Sequence, residues 1–153
     1  MEEKKQEQTI EKGVFRTNLL LPWLTTDLEV TTKRFIGYNR NTLLGLIPFG
    51  KNEVTFPLKN IASVSTSTKF HGKRFAFGLF FVLASLAGLS DNFASSVIFF
   101  LIGILPLLNS YTSTFKITNN AGESPTIEIS ILEKGNVQSF ANKVNDAIVY
   151  ETA

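Results

Sequence analysis

The feature that most constrains this chain is an apolar block from residue 75 to residue 108. In this block 24 of 34 residues are apolar, Asp91 is the only charged residue, and seven of the chain's 14 phenylalanines lie here. The remainder of the 153 residues has the composition of an ordinary small fold, and the length leaves room for one domain. The sequence therefore predicts one domain with a long apolar segment built into it.

Asp91 divides this block into two apolar arms, 75–90 and 93–108, of 16 residues each. As a helix each arm would be about 24 Å long, against a hydrocarbon core of about 30 Å. Flanking basic side chains can reach the interface, and local thinning of the bilayer can absorb the shortfall. We therefore predict a transmembrane helical hairpin over residues 73–110, with its turn at residues 90–92 and close packing of the arms at Ala84 and Gly88.

The charges around the block predict its orientation. The turn carries no Lys or Arg, whereas Lys69, Lys73, Arg74 and Lys116 flank the outer ends. The positive-inside rule then places both termini in the cytoplasm and gives a cell-membrane protein with two spans. The residues predicted to span the membrane are Phe75, Phe77, Phe80, Phe81, Leu83, Leu86, Phe93, Val97, Phe99, Phe100, Ile104 and Leu107. A re-entrant or interfacial hairpin, or a hairpin buried in a soluble protein or an oligomer core, is the alternative.

The segments on both sides of the block have the pattern of β-strands. Strand-forming runs recur between residues 17 and 68, and residues 126–131 alternate apolar and polar side chains with a period of two. The chain then changes to a helical period, with Val137, Phe140, Val144 and Ile148 on one face and Asn136 placed to cap the start. This order predicts an antiparallel sheet closed by a C-terminal amphipathic helix. Residues 1–14 are polar and charged, which predicts a mobile tail.

Two short motifs resemble bacterial pleckstrin-homology-like (PH-like) domains. LEVTTKRFIGY (28–38) is similar to the early hairpin of that family, and TFPLKNIASV (55–64) is similar to its next strand. The resemblance implies a mainly β, α+β fold, an antiparallel sandwich or open barrel capped by a C-terminal helix. The PH-like domain would consist of residues 15–72 and 111–150, with the membrane hairpin inserted between them.

Two basic groups are candidates for contact with lipid headgroups. One is the turn with Lys33 and Arg34, since relatives of this fold bind inositol phosphates on the early hairpin. The other lies at the entry to the apolar block and consists of Lys69, Lys73 and Arg74. A solvated turn and simple topology anchoring are the respective alternatives. Trp23 fits the core, a protein interface or a membrane surface equally well.

Composition excludes several classes of site. The chain has no cysteine and one histidine, His71, so disulfides, thiolate chemistry and zinc spacings are ruled out. The sequence contains no phosphate loop and no paired-carboxylate signature, and scattered positive charge argues against nucleic acid. We expect no catalytic residue, no metal and no cofactor.

These observations predict a membrane-anchored, non-enzymatic PH-like interaction or scaffold module at the cytoplasmic face of a bacterial membrane. Its expected partners are membrane lipids and a protein or a second copy of the chain, bound through an exposed sheet edge. A bacteriocin-type immunity protein and an anionic-lipid sensor are the alternatives.

Overall fold

The computed structural model describes residues 6–43 and 46–152. In this part of the chain seven strands form two antiparallel sheets, and three α-helices accompany them. The architecture is therefore α+β.

The first sheet contains four strands in chain order. They are β1 (Thr9–Arg16), β2 (Thr25–Thr31), β3 (Arg34–Leu43) and β4 (Ile47–Pro57). At the turn between β2 and β3, Thr31 Oγ1 accepts the backbone N–H groups of Lys33 and Arg34 at 3.2 and 3.0 Å. Short polar side chains stabilise turns in this way, which explains why a polar step separates two strand-forming runs.

The second sheet contains β5 (Ile61–Phe70), β6 (Tyr111–Asn119) and β7 (Thr126–Ser130). A helical hairpin, α1 (Gly72–Ala87) and α2 (Phe93–Leu108), is inserted between β5 and β6. Because β5 and β6 pair along their whole length, from Ile61 opposite Asn119 to Phe70 opposite Tyr111, both ends of the helical hairpin leave the sheet at the same place. Short 3₁₀ turns lie at Leu58–Asn60 and Ile131–Glu133.

The core lies between the two sheets and is closed by the C-terminal helix α3 (Lys134–Thr152). Phe35 and Phe115 stack with ring centroids 5.4 Å apart, and Phe140 of α3 meets both rings edge-on or tilted. The four positions predicted for the inner face of the helix are all buried: Val137, Phe140, Val144 and Ile148. Each fully buried side chain of this size contributes about 1.5–3 kcal/mol, and no residue of the helical hairpin belongs to this core.

The prediction of a transmembrane hairpin is wrong. Helices do form on both arms, but among the described residues no helix is long and apolar enough to cross a membrane. Each helix has 16 residues: α1 ends with Gly88 as its C-cap, Asn92 caps the start of α2, and after α2 the chain returns to the sheet at Tyr111. The two-span topology, the cell-membrane location and the membrane part of the predicted fold class are corrected accordingly. So is the spanning role of Phe75, Phe77, Phe80, Phe81, Leu83, Leu86, Phe93, Val97, Phe99, Phe100, Ile104 and Leu107.

Three local expectations also differ from the structure. Residues 9–14, predicted to belong to a polar tail, form most of β1. Backbone hydrogen bonds to β2 hold this strand although it has no apolar face. Residues 1–5 of the predicted tail lie outside the described part. Asn136 does not cap α3, which begins at Lys134. The tightest approach of α1 and α2 is made by Gly78 and Gly103, which the sequence did not single out, whereas at the predicted Gly88 an added Cβ would lie 3.2 Å from Ser96 Oγ of α2.

Candidate functional site: the exposed helical hairpin and its base

The helical hairpin concentrates exposed apolar surface in one segment, since more than half of the exposed large apolar side chains of the described residues lie between residues 75 and 108. Its two helices present fifteen large apolar side chains to solvent, which we call the hairpin surface: Phe75, Phe77, Leu79, Phe80, Leu83, Leu86, Leu89, Phe93, Val97, Ile98, Phe99, Phe100, Leu101, Ile102 and Leu108. Glycines and serines take the facing positions where α1 meets α2. Since the small residues face inward, the bulky ones are left outside.

The residues predicted to span a membrane fall into two groups in the structure. Nine of the twelve belong to the hairpin surface. The other three, Phe81, Ile104 and Leu107, are half-buried between the helices, where the Phe81 ring lies 4.7 Å from Phe77 and 5.9 Å from Phe99. The sequence located the apolar segment but could not separate its packed residues from its exposed ones.

The hairpin surface is large compared with what folded monomers expose. Its side chains are 36 to 71 % exposed, which amounts to roughly 1,300 Å² summed over all sides of the two helices if a large apolar side chain has about 150–250 Å². The largest apolar patch on a typical monomer is about 300–600 Å². A surface of this size and composition is typical of one that another molecule covers.

A polar cluster joins the base of the helical hairpin to the second sheet. Glu128 of β7 lies 3.2 Å from His71 Nε2 through Oε1 and 2.9 Å from the Arg74 guanidinium through Oε2. His71 Nε2 also lies 2.9 Å from Thr112 Oγ1 on β6. The side chains of His71 and Arg74 are only 13 % and 12 % exposed, so the start of α1 is fixed to two strands.

The charge state of His71 follows from its surroundings. Burial lowers its pKa from the usual 6.5, the guanidinium of Arg74 and the ammonium of Lys69 lower it further, and Glu128 opposes the shift. Glu128 and Thr112 both approach the same ring nitrogen. A catalytic relay needs the acid on one nitrogen and the nucleophile on the other, so this geometry positions a helix and does not activate the threonine.

The predicted headgroup contacts are divided between two places. Lys69, Lys73 and Arg74 come together at the base of the helical hairpin, where His71, Gly72, Lys73 and Arg74 line an open cavity of about 330 Å³. Lys33 and Arg34 lie at the turn between β2 and β3 instead. The two arginines are engaged by carboxylates, Arg34 by Glu7 and Arg74 by Glu128, whereas Lys33, Lys69 and Lys73 are exposed.

A second cluster ties the helical hairpin to the chain between β1 and β2. Asn109 is 3 % exposed; its Oδ1 accepts the N–H of Leu19 at 2.7 Å, and its Nδ2 donates to Asn18 Oδ1 at 3.1 Å and to the Leu105 carbonyl at 2.8 Å. The Arg74 guanidinium donates to the Asn109 carbonyl at 3.3 Å. These bonds hold the end of α2 against a loop almost 90 residues earlier in the sequence.

Known proteins give no further assignment: no family model matches the chain, and no curated protein or solved structure matches it. The described residues contain no group of three or more His, Asp or Glu side chains that could hold a metal ion. The candidate site is therefore defined by the exposed hairpin surface and by the polar clusters at its base.

Sequence reasoning missed Glu128, Asn109 and the long edge strand β4. Glu128 is the polar member of an alternating strand, and no spacing in the sequence pairs it with His71, 57 positions earlier. For β4, residues 53–56 are strand-forming, but Pro48 and Gly50 are typical of a turn, and they lie where the strand in fact begins at Ile47. Both prolines of this strand, Pro48 and Pro57, are tolerated because an edge strand needs fewer donors.

Proposed function

We propose that this chain is a non-enzymatic PH-like interaction and scaffold module that docks on a second copy of itself through the hairpin surface. The observation that carries the proposal is the contrast between a closed sandwich core and roughly 1,300 Å² of exposed apolar surface on the helical hairpin. The four-stranded and three-stranded antiparallel sheets closed by α3 support the PH-like part.

The size and shape of the helical hairpin favour a second copy as its partner. A standard protein–protein interface buries about 800 Å² on each side, and the hairpin surface, summed over all its sides, is large enough for one copy to cover an area of this size. The two helices have the same length, 16 residues each, so two copies can form a four-helix bundle whose ends coincide. Such a bundle leaves the polar turn at Asp91 and the base at Lys73 in water.

Self-docking also fits the charge distribution. Between Phe75 and Leu108 the only charged residue is Asp91, which is exposed at the turn. A surface without charges has nothing to repel its own copy and no partner-specific charge pattern to match. No described residue bears on the bacteriocin-immunity alternative, which stays a prediction.

The test is the molar mass of the protein in solution, measured by sedimentation and light scattering over a range of concentrations. We expect a self-associated wild type and a shift of at least one order of magnitude in its dissociation constant when Leu83→Lys and Ile98→Lys are combined. Trp23→Ser is the matched control, since Trp23 is 69 % exposed but lies outside the helical hairpin. Circular dichroism checks that each variant is folded.

Flotation with anionic liposomes tests the alternative partner of the hairpin surface, which is a lipid surface. If the wild type is monomeric at all concentrations but floats with the liposomes, and Lys69→Ala with Lys73→Ala abolishes flotation, the partner is a lipid surface and the proposal is overturned. Equal self-association of the wild type and the Leu83→Lys/Ile98→Lys variant would also contradict it.

A further inference from the structure

A second unpartnered surface lies at the far strand of the first sheet. Within the described residues β4 pairs with β3 alone and forms an edge. Its side chains from Ile47 to Glu53 are all exposed. An edge strand with free backbone groups is a template for a further strand.

The corresponding edge of the second sheet is closed by the protein itself. Asn145 of α3 accepts the N–H of Val64 through Oδ1 at 3.1 Å and donates to the Val64 carbonyl through Nδ2 at 3.0 Å. This side chain therefore supplies to β5 the two bonds that a neighbouring strand would supply. No comparable bond to the outer side of β4 occurs among the described residues, so the two edges differ.

The direction of the free backbone groups follows from one hydrogen bond. Leu58 donates its N–H to the Lys33 carbonyl at 2.9 Å, so the backbone N–H of residue 58 points towards β3. Backbone groups of an antiparallel strand alternate between its two sides. Those of Val54 and Asn52 therefore point towards β3, while those of Lys51 and Glu53 point outward.

The same two residues carry opposite charges on one face of the strand. Lys51 holds its ammonium 3.9 Å from the centre of the Tyr38 ring, and Glu53 is opposite Tyr38 in the β3–β4 register. The β4 strand of a second copy can hydrogen-bond to this outer side only under one condition. Residues whose backbone groups point outward in one copy must lie opposite residues whose backbone groups point outward in the other. Antiparallel pairing centred on Asn52 satisfies this condition and places Lys51 of each copy directly opposite Glu53 of the other.

We propose that β4 pairs with β4 of a second copy, antiparallel about a two-fold axis at Asn52, to give a continuous eight-stranded sheet. Moving the centre by one residue places Lys51 opposite Lys51 or Glu53 opposite Glu53, and like charges directly opposite are destabilising. Charge complementarity thus selects one register. This interface uses no residue of the hairpin surface and does not depend on the proposed docking of the helical hairpins.

A cysteine at the axis tests the register directly, since the chain contains no cysteine. A non-hydrogen-bonded antiparallel pair brings its Cα atoms to about 4.5 Å, within the range that a disulfide spans. Asn52→Cys is therefore expected to form a disulfide-linked dimer under mild oxidation. Thr55→Cys on the same exposed strand is the matched control, because the two copies of position 55 would be about 20 Å apart.

Charge reversal supplies the second arm of the experiment. In the Asn52→Cys background, Lys51→Glu is expected to lower the cross-linked fraction about tenfold by placing carboxylates opposite each other. Adding Glu53→Lys restores the opposite charges and the cross-link. Equal cross-linking of Thr55→Cys, or failure of the double reversal to restore the dimer in a folded protein, overturns the proposal.

The hairpin variant keeps the two interfaces distinguishable. Cross-linking of Asn52→Cys is measured again with Leu83→Lys and Ile98→Lys in the same chain. We expect the disulfide to persist, because β4 lies in the other sheet. Its disappearance would show that proximity of the β4 strands is a consequence of hairpin docking, and the separate interface would be rejected.

Discussion

Gly78 and Gly103 face each other where the two helices of the hairpin cross, and neither position has room for a side chain. A Cβ atom on Gly78 would lie 2.6 Å from the Gly103 carbonyl oxygen, and one on Gly103 would lie 2.7 Å from the Gly78 carbonyl oxygen. The obstructing atoms belong to the backbone, so neither can rotate away. The pair therefore sets the distance between α1 and α2.

Gly78→Ala is expected to destabilise the protein by about 1–3 kcal/mol, because overpacking at this contact forces the helices apart and outweighs alanine's better helix propensity. Gly72→Ala is the matched control in the same helix, since a Cβ there meets nothing within 4 Å. Urea unfolding of both variants measures the difference. Equal stability of the two would contradict the close contact.

The cluster at the base of the helical hairpin makes stability depend on pH. The folded-state pKa of His71 lies below its usual 6.5, chiefly because of burial and then because of Arg74 and Lys69, with Glu128 acting in the opposite direction. The unfolded chain therefore binds a proton more readily than the folded one just below pH 6.5. Stability is full above that value and falls as the pH drops towards the folded pKa, below which the loss is complete.

His71→Gln removes this titration while keeping a hydrogen-bonding side chain. We expect the wild type to lose more stability than the variant between pH 7.5 and pH 5.5, as measured by urea unfolding at each pH. Glu128→Gln should lower the pKa of His71 further, which NMR of the imidazole protons can follow. A parallel pH dependence in wild type and His71→Gln would show that His71 is not responsible.

The sequence predicted those features that depend on residues close together along the chain. The spacing of Val137, Phe140, Val144 and Ile148 located the buried face of α3. The run from Asn119 to Gly122 has residue types typical of a turn, and Gly122 adopts a φ of +87° there. Such patterns depend on neighbours within a few positions. They therefore survive in the folded protein.

What the sequence could not give depends on contacts between distant segments. Hydropathy alone does not determine how far a helix extends: α1 ends at its C-cap Gly88, and α2 ends where the chain re-enters the pairing of β5 with β6. Likewise the basic turn at Lys33 and Arg34 looked free, but Arg34 is engaged by Glu7, 27 positions earlier. Carboxylate partners at such separations leave no periodic signal.

This ion pair predicts an acidic titration for Glu7. Two hydrogen bonds of 2.7 Å from the Arg34 guanidinium, followed by one from Thr31, lower the pKa of Glu7 from 4.5 to about 2. The stabilising effect is present above pH 4.5 and is lost as the pH falls through about 2. High salt should weaken it, since Arg34 is exposed and Glu7 is partly exposed.

Arg34→Met is expected to return the pKa of Glu7 towards 4.5, as followed by NMR of the side-chain carboxyl. Lys33→Met is the control, because Lys33 has the smallest of the causes that lower this pKa. A wild-type Glu7 that already titrates near 4.5 would refute the pair.

Asn109 gives the sharpest prediction about how the helical hairpin is held. Its side chain is buried and accepts the N–H of Leu19 at 2.7 Å, so Asn109→Ala leaves the donor of the half-buried Leu19 without its acceptor. An unsatisfied buried group costs about 1–3 kcal/mol. Asn142→Ala, which removes an exposed amide whose Oδ1 accepts a hydrogen bond from Gln138 on the same helix, should change stability by less than about 0.5 kcal/mol.

Amide hydrogen exchange separates this local effect from global loss of stability. In Asn109→Ala the N–H of Leu19 should exchange much faster than in the wild type. The exchange rates of the core amides of β6 should change only as far as the global free energy of unfolding changes. That difference arises because the bond to Asn109 joins the loop before β2 to the end of α2 and to no other element. If Leu19 keeps its wild-type protection in a variant that is otherwise folded, the loop is held by other contacts and the helical hairpin is anchored by the Glu128 cluster alone.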